Sequence, residues 1–364
     1  MKCILIPLCL LCIYQVSCNK VPCEPETDRL TTVFKDDRYQ LTGVAISPEG
    51  RLFTSYPLWS NDYQYAVSEV DGKDNHTTPY PSLFWNSWQA GDNGKDKWVS
   101  VQALYADEQN NLWVVDAASP KMEGVYSNSH KLVKINLANN TVERTYFFEG
   151  VTDGNSYLND VRVDNQRQYA YLTNSSEGGI VIVNLATGNA RQVLQDHYST
   201  KSDPGFTFII DGHELMKNGK PVKINSDAIA LTPDGEWLYY KPLTDDKLYR
   251  IRTEYLRNDA MDNETLGSKV EDLGHFATTD GMIIDKKGDL YMGDMRTNSI
   301  IRVTPELSMQ TLIADDRLVW PDSYAISSDG YLYVSCSQIQ KQPEYNNGEN
   351  KRELPYAIYK LKLP

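Results

Sequence analysis

At 364 residues the chain is long enough for two ordinary domains, and its hydrophobic content of 41% suffices for a substantial core. Its formal net charge of −13 argues against nucleic acid and anionic membrane surfaces as partners. The one long apolar run is Cys3 to Val16, too short to span a bilayer, so no membrane span is expected.

Read from the N-terminus, Met1-Lys2 and this apolar run lead to the small residues Ser17 and Cys18, the pattern of a secretory signal peptide over residues 1–18. Export would place the chain outside the cell, or in the periplasm of a bacterium. Removing Lys2 would shift the net charge to −14. Residues 19–29 form a Pro/Glu linker containing Cys23, which an oxidising compartment would allow to pair with Cys336. Asn-x-Ser/Thr tripeptides begin at Asn75, Asn139, Asn174 and Asn263, and would matter only in a eukaryotic secretory pathway.

From residue 30 onward the chain repeats itself. Residues 30–34 read as a short strand. Six segments then superimpose, starting at Thr42, Gln102, Asn159, Asp227, Asp280 and Asp322, with separations of 60, 57, 68, 53 and 42 residues. Each is a polar residue, a short apolar run and a turn, followed by a second apolar run such as Leu112-Trp-Val-Val115 or Tyr331-Leu-Tyr-Val334. Strand, turn, strand is a hairpin, and repeats of this length are the mark of propeller blades. Third strands are expected at 131–136, 179–185, 247–252 and 299–303. Polar inserts at 61–96, 199–220 and 257–269 are expected as loops on one rim. Residues 356–363 alternate as a strand should. The expectation is an all-β, six-bladed β-propeller with four-stranded antiparallel blades, spanning 30–364. The last blade is closed by pairing residues 30–35 with 356–363, because an open sheet edge invites aggregation. The chain is expected to be a monomer.

If the first strand of each blade lines the central channel, its leading residue sits near one mouth. Thr42, Gln102, Asn159, Asp227, Asp280 and Asp322 then converge as a ligand-binding set. Three carboxylates cannot all stay ionised in one small space without a cation or a retained proton. Asn159, Asp227 and Asp280 offer oxygen donors only, which select a hard divalent cation such as Ca²⁺. The alternative is that these side chains cap strand ends in a water-filled channel. Trp320, Tyr324 and Tyr105 flank the mouth in sequence and would suit a cationic amine. His275 lies five residues before Asp280 and is the histidine placed nearest the mouth. No nucleophile elbow, zinc motif or phosphate-binding glycine loop occurs.

The segments Leu112-Trp-Val-Val-Asp116, Tyr157-Leu-Asn-Asp-Val-Arg-Val-Asp164, Ala170 to Ile182 with its Glu-Gly-Gly, and Asp227 to Tyr240 with its Leu-Tyr-Tyr resemble the yellow/major royal jelly protein family. The resemblance runs from about residue 30 to the end. It implies a secreted six-bladed propeller that binds a small molecule, such as a biogenic amine, in its channel, or carries a dopachrome-converting activity. Two departures stand out: the mature cysteines of animal members are absent, and Asn174 stands where the pattern often has Asp. Asn159-Asp160, Asp227-Ala228 and Asp280-Gly281 are more distantly similar to metal-holding segments of gluconolactonase/regucalcin propellers. That likeness implies a metal-dependent lactonase, with Thr42 standing where those proteins carry a metal-binding Glu.

Overall fold

A computed structural model describes residues 29–72 and 75–364. Among them are six antiparallel four-stranded sheets. Blade one runs Val44–Ile46, Leu52–Ser55, Val67–Asp71 and His76–Pro79. Blade two is Val101–Ala106, Asn111–Asp116, Lys131–Asn136 and Thr141–Phe147, and blade three is Leu158–Asp164, Tyr169–Asn174, Ile180–Asn184 and Ala190–Val193. Blade four comprises Ser226–Leu231, Trp237–Pro242, Lys247–Arg252 and Glu271–His275. Blade five comprises Met282–Ile284, Leu290–Asp294, Ser299–Val303 and Met309–Ala314. Blade six takes Pro321–Ile326, Tyr331–Cys336 and Tyr356–Lys362 from the C-terminal end, and its outermost strand, Thr31–Asp36, from the N-terminal end.

The expected closure is the observed one. Thr31 faces Lys360 and Asp36 faces Tyr356, with a bulge between Thr32 and Phe34. Leu30 and Phe34 are buried there. Each innermost strand contacts that of the next blade, and the last returns to the first, so the ring is complete. Alternation within the strands sends one set of side chains into each gap between blades, and six apolar clusters fill the six gaps. A seventh cluster, including Phe208, Leu215, Leu243 and Trp320, covers one end of the ring.

Three expectations need correction. The insert at 61–96 holds the two outer strands of blade one, Val67–Asp71 and His76–Pro79. His76–Pro79 is polar because it forms the half-exposed rim of the blade, and Val67–Asp71, though mostly buried, alternates Val with Ser, Glu and Asp, so no apolar run announces either strand. The insert at 257–269 is not a mouth loop. Its helical turn Asn263–Gly267 seats Leu266 in the cluster between blades three and four. His275 ends the exposed outer strand of blade four, its Nδ1 2.7 Å from Asp246 Oδ1, on the far side of the blade from the inner strand. Cys336 is a buried free thiol, and its expected partner Cys23 lies outside the described residues, as does the signal segment 1–18. Of the four sequons, Asn174 is fully buried, and its Oδ1 accepts from the Tyr157 and Glu177 amides. Asn75, Asn139 and Asn263 are exposed.

Candidate functional site

The mouth residues owe their direction to breaks in the strand ladder. Register shifts fall between Val101 and Ala103, Leu158 and Val161, Ser226 and Ala228, and Pro321 and Tyr324. Gln102, Asn159, Asp227 and Asp322 are therefore bulge residues, turned out of the pleat at the same level in four blades. Thr42 and Asp280 each precede a shortened inner strand. Gly281 allows the next blade to close on that point: a Cβ there would lie 2.3 Å from the Asp322 carbonyl oxygen.

Hydroxyls fasten the level in place. Ser55 Oγ accepts from Gly43 N (3.0 Å) and donates to the Gln102 carbonyl (3.1 Å) of the next blade. Thr173 Oγ1 accepts from Asp160 N (3.1 Å) and donates to the Asp227 carbonyl (2.6 Å). Ser335 Oγ accepts from Ser323 N (3.1 Å) and donates to the Thr42 carbonyl. Thus three blade junctions share one device at the mouth.

Gln102, Asn159, Asp227 and Asp280 line one cavity of about 240 Å³. Thr42 and Asp322 do not line it. The Thr42 hydroxyl donates to the Gln102 carbonyl (3.2 Å), while Asp322 is buried with an Oδ2 that has no hydrogen-bond partner. Trp59, Tyr157, Trp320 and Tyr345 supply rings to the wall, Ile224, Leu243 and Ile339 supply apolar surface, and Lys217 and Lys223 come from the 199–225 excursion. Of the three aromatics expected, only Trp320 is here. Tyr324 packs between blades five and six, and Tyr105 packs in the gap between blades two and three. Trp59 and Tyr345 carry no signal of their own, because they sit in irregular loops that follow the second strands of blades one and six and belong to no repeated position. Tyr157 lies two residues before Asn159, and that proximity to an aligned mouth position is its signal in the sequence.

Polar groups in the wall are tightly committed. Trp59 Nε1 donates to Tyr157 Oη (2.8 Å), which donates to Gln102 Oε1 (2.8 Å). Trp320 Nε1 donates to Asp280 Oδ2 (2.6 Å). Trp320 holds φ at 54°, a left-handed conformation that a bulky side chain rarely adopts, so the surroundings hold this ring against local strain.

Asp227 and Asp280 are within hydrogen-bonding reach of each other. Burial, then the charge of Asp280, holds Asp227 well above the usual carboxylate range. Burial pushes Asp280 up to about 6, against the pull of its bonds to Trp320 and Asp227. Two such groups in contact retain a proton between them in neutral solution. Asp322 is likewise raised by burial and by Asp280. Two cations offset this charge. Lys241 is fully buried, donates to the Pro242 and Asp245 carbonyls, and is lowered to about 8 by burial. Arg162 lies 3.9 Å from Asp160, stacks over Tyr105 and reaches the Met282 carbonyl (2.6 Å) two blades away. Among the described residues, no three His, Cys, Asp or Glu side chains converge as metal ligands by themselves. An ion at the expected place would need the Asn159 amide oxygen beside the two carboxyls.

Comparison with known proteins agrees with the architecture. Solved structures covering 91–92% of this chain share its fold at 10–12% identity. They include a gluconolactonase from Xanthomonas campestris (TM-score 0.54, 89% of that chain) and a calcium-binding regucalcin from Agrobacterium tumefaciens (TM-score 0.50, 90% of that chain). A luciferin-regenerating enzyme matches with a TM-score of 0.54 over 95% of its chain. Among sequences, major royal jelly protein 7 of Apis mellifera is 20% identical over 326 residues, 80% of this chain and 70% of the relative. The family model described as major royal jelly protein matches residues 99–363, covering blades two to five and the three C-terminal strands of blade six, and the chain belongs to that family.

Proposed function

We propose that this protein is a secreted binding protein whose channel mouth takes a small amine with an aromatic body. The observation that carries the reading is the composition of the 240 Å³ cavity: the Asp227–Asp280 pair lies among aromatic side chains from several blades. A protonated amine would displace the shared proton and gain both carboxylates, while its ring would lie against Trp59, Tyr157 or Trp320. Calorimetry with serotonin, dopamine and histamine tests this. Binding should weaken at least about tenfold in Asp280→Asn and in Asp227→Asn. Equal affinity for a neutral isostere of the same ring would refute the role given to the carboxyls.

A second reading takes the same cavity as a metal site. Asn159, Asp227 and Asp280 all line it, and the buried Asp322 Oδ2 lacks a hydrogen-bond partner beside them. These residues would hold a hard divalent ion such as Ca²⁺, which when bound would polarise a carbonyl, as a lactonase requires. Elemental analysis and melting with and without EDTA separate the readings. Chelator-insensitive, metal-free protein would leave amine binding alone.

A further inference from the structure

A second cavity, of about 120 Å³, opens where the start of the ring meets its end. It lies between residues 38–40, the blade one loop at 56–63, and the segment 350–356 that precedes the strand Tyr356–Lys362. Trp59 contributes to both this cavity and the channel mouth.

Its charged wall is built around an arginine, where the channel mouth has paired carboxyls. Arg352 is half-buried, and its guanidinium is held by neutral side chains: Nη1 donates to Gln40 Oε1 (2.8 Å) and Nε to Asn350 Oδ1 (2.8 Å). Gln40 is itself fixed, its Nε2 donating to the Ser337 carbonyl (2.8 Å) and its Oε1 accepting from Gln342 (2.9 Å). Neither partner offsets the charge, and the further side-chain hydrogen bond of Arg352, to the Tyr356 phenol on the same wall, is to a neutral group as well. Arg38 stands at the rim, where its 3.2 Å pair with Asp62 is mostly exposed and so weakly held. Two guanidiniums stand against two carboxylates, Asp62 at the rim and Asp36 behind it with its Oδ2 accepting from Tyr56 Oη (2.9 Å), so the charge open to an anion is that of Arg352, whose partners are neutral. The remaining lining is chiefly aromatic, including Tyr39, Tyr56, Tyr63 and Trp59. An immobilised guanidinium fork matches a planar carboxylate, and ring faces match an aromatic body better than a hydrated phosphate.

We infer that this cavity is a second ligand site, separate from the channel, for a small aromatic carboxylate. Arg352 binds the carboxylate end-on, Arg38 leaves Asp62 to close over it, and the tyrosines and Trp59 cover the ring.

Benzoate is the probe, titrated into the full chain in chloride-free buffer, with benzamide, acetate and inorganic phosphate as comparisons. Benzoate should bind, and benzamide and acetate should each be at least about tenfold weaker. Arg352→Gln should abolish benzoate binding, Arg352→Lys should leave it weakened because charge without the fork remains, and Arg38→Gln should cost a few-fold. If Arg352→Gln does not fold, the Arg352→Lys and Arg38→Gln titrations carry the same test. No benzoate binding at millimolar concentration overturns the proposal. So does binding that all three arginine variants leave unchanged, or a preference for phosphate over benzoate.

Discussion

Asp280→Asn should flatten the dependence of stability on pH. In the folded chain Asp280 is buried and titrates at about 6, whereas an unfolded Asp titrates near its ordinary value of 3.8. Between those values the native state holds a proton that the unfolded state has released, so native stability falls as pH rises. The shift of about 2 units corresponds to about 3 kcal/mol of native stability, fully present below about pH 4 and lost in full above about pH 6. Unfolding entropy of about 2.1 cal/mol/K per residue makes this about 4 °C in Tm for a chain of this size. Asparagine suits the site: its Oδ1 can accept from Trp320 Nε1 while its Nδ2 donates to Asp227, replacing the shared proton with a fixed one. Differential scanning calorimetry of EDTA-treated wild type and variant at several pH values is the assay. The variant's advantage should be small at pH 4 and grow by about 4 °C by pH 7.5. Parallel Tm profiles would refute the argument, because they would mean that the pair does not hold its proton in the fold.

Two further outcomes are expected. Lys131 and Asp116 form a 2.6 Å ion pair with both side chains fully buried, and Asp116 also accepts from the amides of Val99, Ser100 and Ala118. Lys131→Met leaves that carboxylate unpaired and should cost about 3–5 kcal/mol by chemical denaturation, with partial recovery in the Asp116→Asn/Lys131→Met double variant. An unchanged midpoint would show the pair to be inert. Deleting residues 30–36 removes buried Leu30 and Phe34, about 3–6 kcal/mol together, and bares the edge of Tyr356–Lys362. Lower melting and aggregation by light scattering should follow, and a monodisperse product with unaltered Tm would contradict the closure.

The fold was legible because a propeller writes its period into the chain. A Gly or polar turn between two apolar runs recurs wherever a hairpin must face a blade on each side, and the terminal runs at 30–34 and 356–363 had no other partners. Outer strands such as His76–Pro79 were not legible, since half-solvated residues carry little hydrophobic pattern. Alignment of the repeats places Gln102, Asn159, Asp227 and Asp280 at one level, and these four line one cavity. It could not show that Thr42 spends its hydroxyl on a neighbouring carbonyl, nor that Asp322 sits behind the wall. Those outcomes depend on bulges and on contacts between blades, which the sequence of one repeat does not encode. Trp59 and Tyr345 arrive from separate loops, and only the closed ring makes them neighbours.

The hydroxyl links of Ser55, Thr173 and Ser335 give the mouth an unusual dependence on the rest of the molecule. Each ties the backbone that presents a mouth residue to a side chain of the adjoining sheet, so the spacing of the site is set by the ring's circumference, not by any one loop. Ser335 joins blade six to blade one, at the same junction that the N-terminal strand helps to close. Loosening that seam would pull Thr42 away from its neighbours and disturb the mouth while the outer sheets were still folded. Conversely, a molecule that grips Asp227 and Asp280 from within bridges two adjacent blades and acts as a clasp. The rim loops, free of this duty, can change length and sequence without moving the floor of the site.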